Sequence, residues 1–484
     1  MKKLIKQLAG ESIVYGLSGI INKFISVFLV PLYTRILLPS DYGVLNLVNT
    51  TFYFVAIFVV FALDNSAARW FYDSDNTEER KKPIATWFWV QLIISVFICL
   101  LFIGLSTPLS KLILGKNLPL LLIIPSVTIV SSVLPTIVWN WLRLRRKVWL
   151  TVTLSTGSAI LTIGLNVLFT IVLKQGIKGI LLATLISNSI YSVAASLLMW
   201  RWLSPKFFSV EVLKGMLRFA LPLLPTALAF WILNSSASFF IKYYHSNEEV
   251  GLFSIASSIA SSVAMLVGAF QMAWGPFAFS IMNKPEAKSV YSAVLTLYSI
   301  VALTAALAVA LFAKEILFLL TTPKYYPAYL VSGILAFNAT IYGYAYIGGI
   351  GSSVVKKTSP IAFAIMIGSI VCIVLYFILI PIIGKEGAAL STLTGYLIIP
   401  IYVFYRSQQL WHIPYKFMPT VILLCSAFAL FIVNNSLPEY SISYSIVSKL
   451  ILLLIFLSVC AIVVYYNYKT GIDSYLQKKY FKLP

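Results

Sequence analysis

The chain has 484 residues, 60% of them hydrophobic and 11% charged, with a formal net charge of +21. A soluble domain carries about 25% charged residues, so a water-soluble globule is excluded and hydrocarbon must be the main solvent. Such a basic excess in a soluble protein would suggest nucleic acid; here membrane topology accounts for it, as the order of the spans makes clear.

A membrane-crossing helix needs about 20 mostly apolar residues, because its backbone groups must be satisfied within the segment. The first such run, 12–33, carries Asn22 and Lys23 near its middle and Glu11 about three turns earlier. It ends in Arg35 rather than in small residues, and further spans follow at once, so it does not read as a cleaved signal peptide. A polar knot, Pro39-Ser-Asp-Tyr-Gly43, precedes the second run at 44–63, which holds Asn46 and Asn49. The third and fourth runs are 84–107 and 118–139; after the latter come Arg143, Arg145, Arg146 and Lys147. Runs five and six are 150–173 and 180–200. The seventh, 217–241, is interrupted by Pro222 and Pro225 and carries Asn234, Ser235 and Ser236. The eighth, 252–272, ends at Gln271. Six more follow at 291–312, 327–347, 361–380, 388–405, 418–433 and 446–466, giving about fourteen helices in all. The longest loops, 64–83 and 201–214, are long enough for an interfacial helix and too short for a soluble domain.

With an inside N-terminus, 25 of the 36 Lys and Arg fall on the inner side, 10 on the outer side, and Lys23 within a span. That bias is the positive-inside rule, and it places both termini in the cytoplasm. Cys99, Cys372, Cys425 and Cys460 all lie in apolar runs at no metal-ligand spacing, so neither a metal site nor a disulfide is expected.

An internal repeat emerges at an offset of 208 residues. It lays PSDYGVLNL (39–47) over NEEVGLFSI (247–255), with Asp41 on Glu249 and Gly43 on Gly251. The same offset lays QGIKGILLAT (175–184) over IGKEGAALST (383–392), pairing Gly176 with Gly384 and Gly179 with Gly387. The glycines are read as tight turns between adjacent helices. The knot is the outer turn joining the first two helices, with 245–251 as its counterpart; outer gating is the alternative. Six spans separate the copies, so both halves enter the membrane in one sense, the parallel kind of transporter repeat.

Catalytic chemistry finds little support. The only histidines, His245 and His412, sit in loops on opposite predicted sides, and no nucleophile motif, carboxylate pair, phosphate loop or metal box is visible. Intramembrane charge carries more information, because an ionisable residue in hydrocarbon normally faces a cavity or a partner. Lys23 is the one such residue near mid-span, with snorkelling to an interface as its bland reading. For Asn46, Asn49, Asn234 and Gln271, interhelical hydrogen bonding stands beside substrate contact. Arg69, Arg143 and Arg145 occupy inner ends of spans, as topology anchors or as a basic mouth for anionic headgroups. Pro222 and Pro225 remove backbone donors and should kink the seventh span, a place for a gate. Trp139, Trp141, Trp231 and Trp274 are read first as interface anchors or packing. A cavity with a buried cation and no mid-span carboxylate suits an anion such as a phosphate.

Six stretches resemble bacterial polysaccharide flippases, of the superfamily that also holds MATE-type multidrug exporters and lipid II flippases. They are GLSGIINKFISVFLVPLYTRILLPSDYG (16–43), ALDNSAARWFYD (62–73), ALPLLPTALAFWILNSS (220–236), FQMAWGPFAFS (270–280), KYYPAY (324–329) and IGKEGAALST (383–392). The first, second and fourth together are the specific ones, and the resemblance runs from Glu11 to Tyr466. It implies an all-α polytopic protein of the bacterial cytoplasmic membrane. One lobe is formed by 1–214, a second by 215–411, and two peripheral spans with a cytoplasmic tail by 412–484. It also implies transport of undecaprenyl-pyrophosphate-linked oligosaccharide, for O-antigen or capsule, from inner to outer leaflet by alternating access. In that superfamily a basic residue of the first span faces the central cavity, and Lys23 occupies the matching place. Ala237 and Ser238 stand where related flippases often carry Asp-Arg, and the eighth span has no basic residue.

The expected partners are the lipid-linked oligosaccharide, membrane lipids and other polysaccharide-assembly membrane proteins, without nucleic acid. No cofactor is expected, and coupling to an ion gradient is left open. Two alternatives are weighed: a drug or cation exporter of the same fold, which calls for a buried carboxylate, and a polymerase or glycosyltransferase, which calls for a large catalytic outer loop.

Overall fold

The computed structural model describes residues 29–357, 359–437 and 442–480, and in the last stretch the side chains of 445–466. The described residues are helical without strands. Helix α1, Pro39–Val60, opens with Pro39 in its first turn, where the missing N–H is no loss, and with Asp41 beside the positive end of the helix dipole. The Pro39–Gly43 knot is therefore the first helical turn and not the turn between spans. The chain breaks one residue earlier, at Leu38, held extended by the proline that follows it.

Phe61 and Ala62, both left-handed (φ 51° and 52°), separate α1 from α2, Leu63–Phe71. Helix α3, Thr77–Gly104, is capped by Asn76, whose side chain accepts from the Glu78 N–H at 2.9 Å. After α4 (Ser106–Leu114) come α5 (Leu120–Leu144), α6 (Val148–Val167) and α7 (Gly176–Met199). Helix α8, Val210–Ala220, starts at a Ser209 cap, earlier than the expected seventh span, and so takes up Lys214. A 3-10 turn over Leu221–Leu223 carries Pro222, and Pro225 falls in the first turn of α9, Leu224–Ser235. Then follow α10 (Ala237–Tyr244), α11 (Asn247–Ile281), α12 (Ala287–Leu311), α13 (Ala313–Leu320), α14 (Tyr329–Gly348) and α15 (Ile350–Val354). The last are α16 (Ser359–Leu410), α17 (Phe417–Ser436) and α18 (Ile442–Tyr480).

Twelve helical stretches among the described residues are long and apolar enough to cross a membrane. The expected count of about fourteen differs for two reasons. The first expected span, 12–33, falls almost wholly outside the described residues. The eleventh and twelfth form one 52-residue run, α16, interrupted by non-helical Ile383 and Gly384. At about 1.5 Å per residue that run far exceeds a bilayer of about 30 Å, and the break leaves two pieces of spanning length.

The chain divides into two compact units. The first comprises Met1–Ile255, Thr321–Tyr325 and Ile365–Gly395. One core cluster joins α2, α3, α5, α7 and α8 through Leu63, Phe71, Trp87, Ile137, Trp141 and Met199, all buried. The second comprises Ala256–Leu320, Tyr326–Ala364 and Tyr396–Pro484. There the Tyr298 hydroxyl donates to the Thr340 carbonyl at 2.9 Å, Thr340 returns a bond to the Ala302 carbonyl, and Phe337 packs on Phe428. The Trp274 indole donates to the Tyr346 carbonyl at 3.0 Å. Cys99, Cys372 and Cys460 are buried, Cys425 is exposed, and all four are free thiols.

Candidate functional site

The two repeat glycines Gly43 and Gly251 meet. A methyl group on Gly43 would lie 1.8 Å from the Asn247 carbonyl oxygen, and one on Gly251 would lie 1.9 Å from the Pro39 oxygen. So α1 and α11 cross in backbone contact, and hydrogen is the only side chain that fits at either position. The expected turn role is thus corrected to one of close helix approach, the use small residues have in membrane interfaces. The other repeat pair keeps the expected geometry: Gly176 and Gly384 take φ of 55° and 56°, a turn conformation in which a β-carbon is strained.

One turn along from the crossing, Asn46 donates to Ser254 Oγ at 2.8 Å, again across an offset of 208. Its amide oxygen accepts from Ser238 Oγ at 2.7 Å. Ser238 and Ala237 are buried, so the place where Asp-Arg was awaited is filled by small residues and one neutral hydrogen bond. Trp231 braces the same helix by donating to the Thr50 carbonyl at 3.3 Å and packing on Phe54.

The start of α11 is anchored on the break in α16. The His245 imidazole bonds the Ile380 carbonyl at 2.7 Å. Lys385 Nζ lies 3.0 Å from Glu249 and 3.3 Å from Glu386. On the other side, Tyr325 donates to the Leu37 carbonyl at 2.9 Å, satisfying the group that the turn before α1 leaves open, and its ring meets Tyr42. Parts of three motifs distant in sequence (PSDYG, KYYPAY and IGKEGAALST) therefore converge on one end of the first unit. Beside them a groove of about 870 Å³ is lined by Asp41, Asn117, Lys174, Gln175 and Lys178.

Of the residues singled out from sequence, Lys23 lies outside the described residues. Asn46 is half-buried in the seam, and Asn49, three residues on along the same helix, is exposed. Asn234 is exposed, its amide donating to the Phe230 carbonyl. Gln271 belongs to the second unit, where it is exposed and hydrogen-bonded with Tyr346. Arg69 is paired with Asp73 one turn on. Arg143 and Arg145 are exposed at the end of α5, and the Arg145 guanidinium stacks over Trp141 and Trp202. Sequence reasoning missed Ser238, Ser254 and Trp231 as partners of α1. Only the offset of 208 could have pointed to Ser254.

A family described as "Polysaccharide biosynthesis protein" matches residues 32–330. Among solved structures, the chain is similar to "Lipid II flippase MurJ, inward closed conformation", with a TM-score of 0.67 and 17% identity over 96% of this chain and 99% of that one. It is also similar to the inward-facing conformation of a multidrug resistance MATE family transporter of the MOP superfamily. There the TM-score is 0.64 and the identity 15%, over 80% of this chain and 94% of that one. A mutant of the Vibrio cholerae MATE transporter VcmN gives a TM-score of 0.51 at 15% identity, over 84% and 97%. At such identities the likeness is one of fold. No curated protein matches the chain by sequence.

Proposed function

Since the chain belongs to the polysaccharide biosynthesis protein family, we propose that it is a membrane flippase carrying undecaprenyl-pyrophosphate-linked oligosaccharide from the inner to the outer leaflet of the bacterial cytoplasmic membrane. The observation that carries the reading is the exposure of Asn49, Asn234 and Gln271 on helices of membrane-spanning length. A side-chain amide offers two N–H donors and an acceptor oxygen, and turning such a polar group toward hydrocarbon costs about 2–7 kcal/mol where its bonds are not all made. Faces that keep such groups exposed are therefore suited to a wet path through the membrane rather than to lipid.

Within this reading Lys23 holds the diphosphate, Asn46, Asn49, Asn234 and Gln271 line the path, and Arg69, Arg143 and Arg145 gather substrate at the inner mouth. The lobes 1–214 and 215–411 rock by alternating access. The Gly43–Gly251 crossing, with the Asn46, Ser238 and Ser254 bonds beside it, is the outer closure. Neutral hydrogen bonds are worth about 0.5–1.5 kcal/mol each, so a seam built from them can part during a transport cycle. The broken stretch around Pro222 and Pro225 gives the gate its bend. The chain acts without covalent catalysis, and its neighbours in the membrane are other polysaccharide-assembly proteins.

Complementation tests this. Expressed in a bacterium lacking its O-antigen flippase, the chain should restore surface polysaccharide and clear the lipid-linked intermediate. Lys23→Ala should lose that rescue at unchanged protein level. Full rescue by Lys23→Ala would remove the lysine from the mechanism, and drug resistance in place of surface glycan would favour the exporter reading.

A further inference from the structure

We propose that the end of α5 and the chain leaving α7 form a binding site for the phosphate headgroup of an anionic glycerophospholipid of the surrounding bilayer. Two groups of basic residues at this end of the first unit differ in their partners. Arg69, Arg80, Lys81 and Lys82 each have a carboxylate partner close in sequence: Asp73, Asp75, Glu78 and Glu79. Arg145, Arg146 and Lys147 are exposed, and no ion pair to them is found among the described residues. The first set has carboxylates of this chain beside it, whereas the second faces outward with no such carboxylate among the described residues and is the better placed to hold an anion from outside.

The open set is built rather than loose. Trp141 and Trp202 meet edge to face at 5.3 Å, and the Arg145 guanidinium lies 4.9 Å and 5.7 Å from their ring centres. Stacking occupies the face of the guanidinium and leaves its N–H edge for an oxyanion. Arg146 sits at φ 56°. Its N–H reaches the Arg143 carbonyl at 3.0 Å, and the Lys147 N–H reaches the Leu142 carbonyl at 2.9 Å. This is the Schellman closure of a helix, whose left-handed position is usually glycine. The helix dipole explains cations in the last turn of α5, but not a side chain where its own backbone is strained. A demand for charge at that spot does explain it.

Depth identifies the anion. Trp149 and Trp200 flank the cluster at 74% and 66% exposure, and Arg201 stacks on Trp200 at 5.1 Å. Exposed tryptophans next to arginines mark the headgroup level of a bilayer, where basic clusters attract anionic lipids. The lipid's phosphate would lie between the Arg145 edge and the Arg146–Lys147 turn.

The site does not rest on the transport reading. Arg145 serves in both, so the test uses Arg146→Gly with Lys147→Ala, in which glycine relieves the backbone. The full chain in neutral detergent is titrated with phosphatidylglycerol, phosphatidylcholine and undecaprenyl diphosphate, reading bound lipid by native mass spectrometry and Tm. Phosphatidylglycerol should bind and raise Tm by several degrees, phosphatidylcholine should not, and the double variant should lose about tenfold in phosphatidylglycerol affinity. Its Tm without lipid should equal or exceed that of the parent. Equal effects of the two phospholipids, or undiminished binding by the variant, would overturn the proposal. So would binding of undecaprenyl diphosphate tighter than that of phosphatidylglycerol and lost with it in the double variant, which would assign the Arg146–Lys147 turn to substrate.

Discussion

At the scale of single residues, Gly43 and Gly251 show how a correct pattern can carry the wrong geometry. Their offset of 208 is visible in the sequence, and so is the small-residue requirement, but a glycine after Asp-Tyr reads as a turn. Pro39 and Asp41 carried the missing information, because both favour the start of a helix. The close approach itself depends on a partner 208 residues away, which no local pattern reveals. Gly43→Ala should cost about 3 kcal/mol or more, since the added carbon meets a backbone oxygen that cannot rotate away. Gly164→Ala should instead gain about 0.5–1 kcal/mol, because nothing lies within 4 Å of its new carbon at an exposed position within a helix. Unfolding both variants in detergent checks the pair; a Gly43→Ala protein as stable as the parent would rule out backbone contact at the crossing. Ser238 is the complementary case. Sequence marks it as a departure, and the structure assigns it a bond to Asn46.

Among the elements, hydropathy located the helical stretches of spanning length among the described residues, because length and apolarity suffice to specify a span, but not the short helices between them, such as α4 and α13. It did not locate the breaks equally well. Pro222 announces its 3-10 turn, whereas Phe61 and Ala62 give no sign of their left-handed backbone, since neither residue type favours it. Conversely Pro125 and Pro135 lie within a continuous α5, the neighbours of a membrane helix tolerating the lost bonds. Ion pairs between distant helices are also invisible beforehand. Lys449, nearly buried at the start of α18, places its ammonium 2.6 Å and 2.8 Å from the two oxygens of Glu315 in α13. Removing one partner strands the other, so Glu315→Gln should cost about 2–3 kcal/mol, the carboxylate's partial exposure lowering the figure. Glu315→Leu with Lys449→Met should recover most of the loss. A double variant whose cost equals the sum of the single ones would show that the two groups do not interact.

For the whole molecule, composition alone dictated a helical membrane protein, and the chain does carry twelve candidate spans among its described residues. The offset of 208 was legible because two motifs shared it, and both pairs of glycines keep matched roles in the structure. The substrate was not legible in the same way. Its argument turns on the sign of one charge that the sequence sets within an apolar run, Lys23, and on exposed amides whose neighbours are set by packing rather than by motif. The measurement that tests the central claim most directly is transport in reconstituted vesicles. Undecaprenyl diphosphate bearing a short sugar would be placed in both leaflets, and an enzyme added outside would read the fraction that becomes accessible. The account predicts that accessibility exceeds that of protein-free vesicles and falls to their level with Lys23→Ala. Accessibility no greater than in protein-free vesicles, from folded and correctly inserted protein, would contradict it.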